Sequence, residues 1–321
     1  MPLRFGLLGT GYWARETHAA ALAIQDGAEL VGVWGRNPTK AAAVAERYGV
    51  RSFGDPDALF AAVDAVAFAL PPDVQAELAV RAATAGRHLL LEKPLALSLP
   101  DARRVVAAVE ASGVASLVFF TWRFQPAVAA WIEELRAAGD WQGGRGAWLG
   151  SIFQPDSPYP ESPWRRSRGA LWDVGPHPLA LALPVLGPVE RVTAATGLGD
   201  TVHLVLEHRG GASTTLSLSL TAPPAAEGTD FAFYGPRGVS LIPPGGTTAV
   251  EAFGEAVRQL AAEVAAGSRS HPCGARFGMD VVAVLDAVER FLATPVGART
   301  AAVLTADARA GPPGSSTTSE R

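Results

Sequence analysis

The first third of the chain alternates short apolar runs with segments of helical periodicity. The apolar runs are LRFGLLG, ELVGVW, AVAFAL, HLLLE and ASLVFFTW, and the helical segments between them cover 13–24, 38–48, 73–85 and 98–111. Strands that are apolar at every position are buried on both faces, as they are in a parallel sheet covered by helices. The pattern therefore predicts an α/β domain built on a doubly wound parallel sheet.

The rhythm changes after about residue 145. Strand-like runs joined by Gly/Pro turns follow: GRGAWLGSIFQ, VERVTAATG, DTVHLVLEHRGG, ASTTLSLSLTA, TDFAFYGPRG and VSLI. Polar and apolar residues alternate along 213–220, which is typical of an antiparallel strand with one covered face. With helical patterns at 126–138, 250–266 and 278–292, this region predicts a second domain that combines helices with a mostly antiparallel sheet.

These patterns divide the chain into a first domain at 1–122, a second domain at 123–305 and a tail at 306–321. The tail ends in ARAGPPGSSTTSER, a polar stretch with glycine and proline. Such a composition buries too little apolar surface to offset the entropy of ordering, so we expect the tail to be disordered.

The composition excludes several classes of protein. Of 321 residues 48% are apolar and 18% charged, and the net charge of -4 includes no long basic block, so we expect no nucleic-acid partner. The single cysteine, Cys273, supports neither a disulfide nor a cysteine zinc site. Because no signal peptide and no apolar run of membrane-spanning length is present, we expect a cytoplasmic protein with no membrane association.

A G-x-G-x-x-A motif follows the first predicted strand and begins the first helix. Gly9 permits a tight turn, Gly11 lets the backbone approach a pyrophosphate, and Ala14 allows close packing of helix and strand. The helix N-terminus supplies free N–H groups for an anion. The alternative is a glycine-rich turn without a ligand; in this context we predict a dinucleotide-binding Rossmann domain. The candidate contacts in this loop are Gly9, Thr10, Gly11, Tyr12 and Trp13.

The end of the second strand bears on the choice of cofactor. Gly35 stands where an acidic residue bonds the ribose 2′-OH of NAD, and Arg36 follows it. Without a carboxylate, a 2′-phosphate meets no repulsion, and Arg36, Asn37 and Lys40 offer donors to it. The alternative is a solvated arginine in a loop. The sequence favours NADP(H), and NAD(H) is possible.

The run HLLLEKP, counted as the fifth strand, ends on a charged pair and a proline. Ligands of open parallel sheets bind outside the carboxyl ends of the strands, so Lys93 is expected to point into the cofactor crevice. Pro94 biases Lys93 away from helical angles, and Glu92 is the expected partner of the lysine. The alternative is an ordinary surface ion pair.

Taken together, these motifs resemble the Gfo/Idh/MocA family, which includes glucose-fructose oxidoreductase and inositol dehydrogenase. The resemblance rests on the N-terminal fingerprint, EKPLA, RFQP and PWRRSRGALWDVGPH, and it extends from residue 3 to about 305. It implies hydride transfer between nicotinamide and a carbon of a sugar, polyol or related carbohydrate. It also implies that the second domain is a C-terminal α/β domain with a large open sheet, and that a homodimer or homotetramer forms through this sheet.

Some positions depart from the family pattern. The loop LPPDVQ has Pro72 and Gln75 where the family often has Asn and His, although Leu70, Pro71 and Gln75 remain candidate cofactor contacts. A glycine triplet is reduced to SRG, and its Arg168 either faces an acidic or phosphorylated substrate or faces solvent. Ala180 replaces the usual acid three residues after His177, so the substrate does not carry over from the family.

The resemblance places Lys93, Asp173 and His177 on catalytic positions. We expect His177 to be the general acid/base, Asp173 to orient it, and Lys93 to donate a hydrogen bond to the substrate oxygen. The spacing of four residues puts Asp173 and His177 on one face if the segment is helical. The alternatives are a helix cap for Asp173 and a packed histidine for His177. The remaining candidate contacts are Glu92, Arg123, Trp164 and Arg165, and no metal is expected.

Two other functions stay open at this point. One is a dehydrogenase of a non-sugar substrate, such as a dihydrodiol or a tetrapyrrole, on the same scaffold. The other is a non-catalytic dinucleotide-binding sensor, against which the intact Lys93, Asp173 and His177 argue.

Overall fold

The structure is a computed structural model that describes residues 1–159, 162–295 and, for the backbone, 301–302. Its first sheet has six parallel strands in the order β3-β2-β1-β4-β5-β6. The strands are β1 (Leu3–Leu8), β2 (Ala28–Trp34), β3 (Arg51–Phe53), β4 (Ala65–Phe68), β5 (His88–Glu92) and β6 (Ser116–Phe119). The predicted doubly wound parallel sheet is confirmed.

The helices that cover this sheet follow the strands in alternation. A π-helical turn at Ala14–Ala19 leads into α1 (Ala20–Ile24), and the others are α2 (Pro38–Arg47), α3 (Pro56–Ala62), α4 (Pro72–Thr84) and α5 (Leu99–Ser112). The short β3 and α3 were not predicted individually, because three strand residues and seven helix residues are too few to show a period. All four residues of β4 are buried, as the continuous apolar run requires.

The second sheet has seven strands in the order β12-β11-β7-β10-β9-β8-β13, and β7 and β10 are its parallel pair. The strands are β7 (Gly143–Leu149), β8 (Val189–Thr196), β9 (Val202–His208), β10 (Ser213–Ser219), β11 (Gly228–Gly235), β12 (Gly238–Leu241) and β13 (Ala301–Ala302). Along β10, Thr214, Leu216 and Leu218 are buried, which matches the predicted alternation. The predicted mostly antiparallel second sheet is therefore confirmed.

A 3-10 turn at Thr121–Phe124 follows the last strand of the first sheet, and a second one lies at Pro224–Ala226. The remaining helices are α6 (Pro126–Ala138), α7 (Pro163–Asp173), α8 (Pro176–Leu186), α9 (Ala249–Ala265) and α10 (Ala275–Ala293). Helix α9 returns to the first sheet, where Phe253 stacks on His18 at 3.9 Å between ring centroids and meets Phe119 edge-on.

The predicted domain limits, 1–122 and 123–305, remain predictions. The end of the second domain at 305 and the tail at 306–321 lie outside the described residues. No helix in the described part of the chain is long and apolar enough to cross a bilayer.

Candidate active site

The loop after β1 has the geometry that a dinucleotide requires. Gly9 has φ of 134°, and a Cβ added there would lie 2.3 Å from the carbonyl oxygen of Ala69, so only glycine fits. A Cβ added at Gly11 would meet nothing within 4 Å, which leaves open space beside the backbone. No side chain caps the start of the helix at Trp13, so the first N–H groups of the helix are available to an anion.

A cleft of about 760 Å³ extends from this loop to α7 and α8. It contains most of the predicted site residues: Gly11, Tyr12, Trp13, Lys40, Leu70, Pro71, Glu92, Lys93, Trp164, Arg165, Asp173 and His177. Residues that were not predicted also line it, among them Thr121, Ile152, Pro158, Tyr159 and Ser162. The carboxyl ends of the first sheet's strands therefore meet the second domain at a single crevice.

Lys93 lies at the centre of this cleft, directly after β5. Its Nζ donates to the carbonyl oxygen of Asp173 at 2.7 Å and to Asp173 Oδ1 at 2.8 Å. The other carboxylate oxygen, Oδ2, accepts from Arg165 Nε at 2.9 Å. One carboxylate thus bonds two cations, and the side chains of Lys93, Arg165 and Asp173 together carry a net positive charge.

The two cations determine the ionisation of Asp173. Burial alone would raise the pKa of this carboxyl group, but the charges of Lys93 and Arg165 outweigh burial and lower the pKa to about 2. Asp173 is therefore a carboxylate throughout the neutral range. The Arg165 guanidinium itself lies over the rings of Tyr159 and Trp164, at 4.3 and 4.5 Å from their centroids.

His177 lines the same cleft as an uncharged imidazole. Burial lowers its pKa to about 3, Lys93 adds to this effect, and Asp173 opposes it. Its Nδ1 is buried and has no hydrogen-bond partner among the described residues. The ring instead lies nearly parallel to the Trp148 indole, at 14° and 6.1 Å between centroids.

This arrangement corrects the predicted relation between Asp173 and His177. Helix α7 ends at Asp173 and α8 begins at Pro176, so the two residues do not share one helix face. Both oxygens of Asp173 are bonded to Lys93 and Arg165, so the carboxylate does not orient the imidazole. The spacing of four residues was a poor guide because a helix boundary falls inside it.

Glu92, the predicted partner of Lys93, bonds the backbone of the lysine, and its ion pair among the described residues is with His18 instead of the Lys93 ammonium. Glu92 Oε1 accepts from Trp13 Nε1 at 2.5 Å and from His18 Nε2 at 2.8 Å. Its other oxygen accepts only the backbone N–H of Lys93, at 3.1 Å. Glu92 therefore ties the π-helical turn to the end of β5. His18 was missed because a buried histidine on a helix gives no sign of its partner in the sequence.

Gln75 does not face the cleft, contrary to the prediction of a cofactor contact. Its side chain is fully buried, accepts from the backbone N–H of Glu92 and donates to the carbonyl oxygen of Glu92, each at 2.8 Å. It also approaches the carbonyls of Pro94 and Leu95, both at 3.3 Å. The amide thereby fixes the backbone on either side of Lys93, across a cis Lys93–Pro94 peptide.

The residues after β2 divide into two groups. Lys40 lines the cleft and an adjoining hollow of about 450 Å³, whereas the exposed Arg36 and Asn37 line neither. Asn37 instead caps α2 by accepting from the backbone N–H of Lys40 at 3.0 Å. Gly35 has a packing role, since a Cβ there would lie 2.5 Å from Thr10 Cγ2.

Two arginines that were not predicted share this hollow with Thr10, Gly11, Tyr12 and Lys40. They are Arg15 and Arg47, and Arg47 is bonded to Glu16 at 2.6 and 2.9 Å. The sequence signal for Arg15 was its place directly after the fingerprint. Arg47 lies at the end of α2, where only the fold brings it to the loop.

Two further arginines lie away from the cleft: Arg123, which was predicted to line it, and Arg168, for which a substrate-facing and a solvent-facing position were both open. Arg123 is buried behind α8, where its NH1 donates to the carbonyl oxygen of Ala180 at 3.0 Å. Arg168 pairs with Glu289 at 3.0 Å and lies over the Trp172 ring, so it does not face the cleft. No group of three or more candidate metal-binding side chains occurs in the described part of the chain.

Comparison with family models assigns the chain along most of its length. Residues 3–120 match the oxidoreductase family with an NAD-binding Rossmann fold, and residues 137–240 match the Gfo/Idh/MocA C-terminal domain. The chain belongs to the Gfo/Idh/MocA oxidoreductase family. It is therefore an oxidoreductase, and the resemblance read from the motifs is confirmed.

Several relatives of this oxidoreductase are named as dehydrogenases of sugars or polyols. Inositol 2-dehydrogenase of Rhizobium meliloti is 30% identical, over 69% of this chain and 70% of its own length. D-apiose dehydrogenase of Paraburkholderia graminis is 32% identical, over 69% of this chain and 61% of its own length. A solved levoglucosan dehydrogenase, in complex with NADH and levoglucosan, shares the fold with a TM-score of 0.81 and 22% identity, covering 95% of this chain and all of that one.

Proposed function

We propose that this oxidoreductase transfers a hydride between a nicotinamide dinucleotide and a carbon of a sugar, polyol or related carbohydrate. The observation that carries the proposal is Lys93, whose Nζ lies in the cleft beside the dinucleotide loop and is held there by Asp173. The names of the relatives, which include inositol, apiose and levoglucosan dehydrogenases, support the substrate class.

The residues of the cleft fit such a cofactor. The open space at Gly11 admits a phosphate, and the uncapped helix that begins beside it supplies N–H groups. Leu70 and Pro71 form an apolar rim at the end of β4, where a nicotinamide ring would lie. When bound, the cofactor supplies the hydride acceptor or donor.

Lys93 is the group that contacts the reacting oxygen in this proposal. Its ammonium donates a hydrogen bond to the substrate oxygen and so stabilises negative charge that develops there. Asp173 and Arg165 keep the lysine extended toward the cleft, so Asp173 is a positioning residue for Lys93. His177 lies in the same cleft as a neutral imidazole and exchanges the proton of the hydroxyl group.

A screen of substrates tests the proposal directly. The protein is incubated with oxidised cofactor and a panel of inositols, aldoses, ketoses and anhydrosugars, and reduced nicotinamide is followed by absorbance. We expect turnover of at least one polyol or sugar. If no carbohydrate is turned over while a dihydrodiol or another non-sugar alcohol is, the substrate class is wrong.

We also propose that NADP(H) is preferred over NAD(H). Two features support this preference. Position 35 is a glycine instead of an acidic residue, and the hollow beside the dinucleotide loop is lined by Arg15, Lys40 and Arg47. Titration with both reduced cofactors tests it. Tighter binding of NADPH, with at least a tenfold loss of that affinity in Lys40→Ala, is expected. Equal affinity for the two cofactors contradicts the preference.

Assembly through the second sheet is a further part of the proposal. Val205 on β9 is 41% exposed, and the same face carries His203 and Ser217, whose side chains hydrogen bond at 2.9 Å. We expect a homodimer or homotetramer that buries this face. Light scattering coupled to gel filtration measures the mass, and Val205→Lys should shift it to the monomer. A wild-type monomer at micromolar concentration would contradict the assembly.

A further inference from the structure

A second pocket lies behind α8, away from the active-site cleft. It has a volume of about 460 Å³ and shares no lining residue with the cleft. Helix α8 separates the two, because His177 near its start faces the cleft while Leu183 and Pro184 line the pocket. No residue of this pocket takes part in the proposed reaction.

The base of the pocket is a buried cation. Arg123 is only 9% exposed, and its NH1 donates to the carbonyl oxygen of Ala180. Its Nε is buried without a hydrogen-bond partner, and no carboxylate of the described residues lies within ion-pair distance of the guanidinium. A buried charge is stable only when it is paired, so this arginine lacks the partner that an anion would supply.

The remaining charges of the pocket add to this cation. Among the described residues, Arg136, Arg209 and Arg276 line it together with the acidic side chain of Asp280. Arg136 and Arg276 are bonded to glutamates, Glu133 and Glu110 respectively, but both arginines are about half exposed. Exposed ion pairs of this kind contribute little, so these arginines can turn to a ligand at low cost.

The walls of the pocket are apolar. Leu183, Phe277 and Val284 contribute to them, and the guanidinium of Arg123 lies 5.7 Å from the Phe277 ring centroid. Such a lining, with a few convergent polar groups, is typical of sites for small molecules. A guanidinium recognises carboxylate and phosphate oxygens with paired N–H bonds.

We propose that this pocket binds a small anion in which a carboxylate or phosphate group is joined to an apolar moiety. Arg123 contacts the anionic group at the base, Arg136 and Arg276 close over it, and the apolar moiety lies against Phe277. Because Arg123 also holds Ala180, three residues after His177, the ligand would bind on the reverse side of the helix that carries the imidazole.

Calorimetric titration of the full chain tests the proposal. The active-site cleft is first saturated with NADPH or NADH, so that its phosphate-binding loop is occupied. Phenylphosphate, benzoate and inorganic phosphate are then titrated separately. We expect one site per chain, with phenylphosphate or benzoate binding at least tenfold more tightly than inorganic phosphate, and the stronger of the two identifies the anionic group.

Variants at the rim of the pocket make the assignment specific. Arg136→Gln combined with Arg276→Gln should weaken binding at least tenfold. Arg191→Gln is the matched control, since Arg191 is an exposed arginine paired with Glu207 on β8 and β9, outside the pocket, and it should leave the affinity unchanged. Arg123→Leu should abolish binding, and Arg123→Lys, which keeps the charge, distinguishes a lost contact from a misfolded chain. No saturable heat with any of the three anions, or equal affinity in the double variant, would overturn the proposal.

Discussion

Asp173 is the residue on which the geometry of the cleft depends. It accepts hydrogen bonds from Lys93 and Arg165 through separate oxygens, and its own carbonyl accepts a second bond from Lys93. Because the carboxylate is buried, its charge is stable only while both cations are present. The proposed position of the catalytic lysine therefore depends on a carboxylate that does not itself touch the imidazole.

Asp173→Asn should lower turnover and change the acid stability of the fold. The folded pKa of about 2 lies below the ordinary value of 3.8, so the charged form stabilises the fold above about pH 4, and this stabilisation is lost as the pH falls toward 2. The part of this stabilisation that depends on pH amounts to about 2 kcal/mol. Urea unfolding at several pH values measures it. The difference between wild type and variant should narrow between about pH 4 and pH 2; a constant difference would contradict the ion-pair account.

His177→Gln should reduce the dependence of stability on pH in a different range. The folded pKa of about 3 lies below the ordinary 6.5, so the unfolded chain takes up a proton first, and stability falls as the pH drops from about 6.5 toward 3. Between about pH 7 and pH 5 the wild type should lose about 2 kcal/mol more than the variant. Denaturant titrations of the wild type and His177→Gln at several pH values check this. An equal loss in wild type and His177→Gln would show that the imidazole is not held neutral.

At the scale of elements, short connections place the chemistry. Glycine in the loop after β1 lets the chain pass within contact of Ala69, and the π-helical turn that follows brings His18 onto Glu92. Helix α7 is broken at Gly169, where φ is 64° and ψ is -164°, before it ends at Asp173. Helix termini and breaks, rather than helix faces, therefore present the site residues.

Two glycine substitutions in the loop after β1 should affect different properties, one the stability of the fold and the other the binding of the cofactor. Gly9→Ala places a methyl group against the Ala69 carbonyl at a φ that L-residues avoid, so it should lower the melting temperature. Gly11→Ala adds a methyl group in open space, so it should fold normally and weaken cofactor binding at least tenfold. Thermal unfolding and cofactor titration separate the two. Normal cofactor affinity in a folded Gly11→Ala protein would show that the phosphate does not approach this backbone.

At the scale of the whole molecule, the sequence predicted the features that depend on local pattern and missed those that depend on contacts between distant residues. Both sheets, the dinucleotide loop and the place of Lys93 at a strand end follow from periodicity and motif, because each depends on residues near in sequence. The partners of Lys93 and Glu92, the burial of Gln75 and the departure of Arg123 from the cleft do not. These depend on which side chains meet across 17 to 80 residues of chain, and no local period encodes that.

The turnover of Lys93→Met tests the central claim most directly. Methionine keeps the length and the apolar stem of the side chain but removes the ammonium that is proposed to contact the substrate oxygen. With the best carbohydrate found in the screen, kcat should fall by about 10² to 10⁴, whereas the dissociation constant of the reduced cofactor should change less than about threefold. Turnover near that of the wild type in a folded, cofactor-binding Lys93→Met protein would contradict the account.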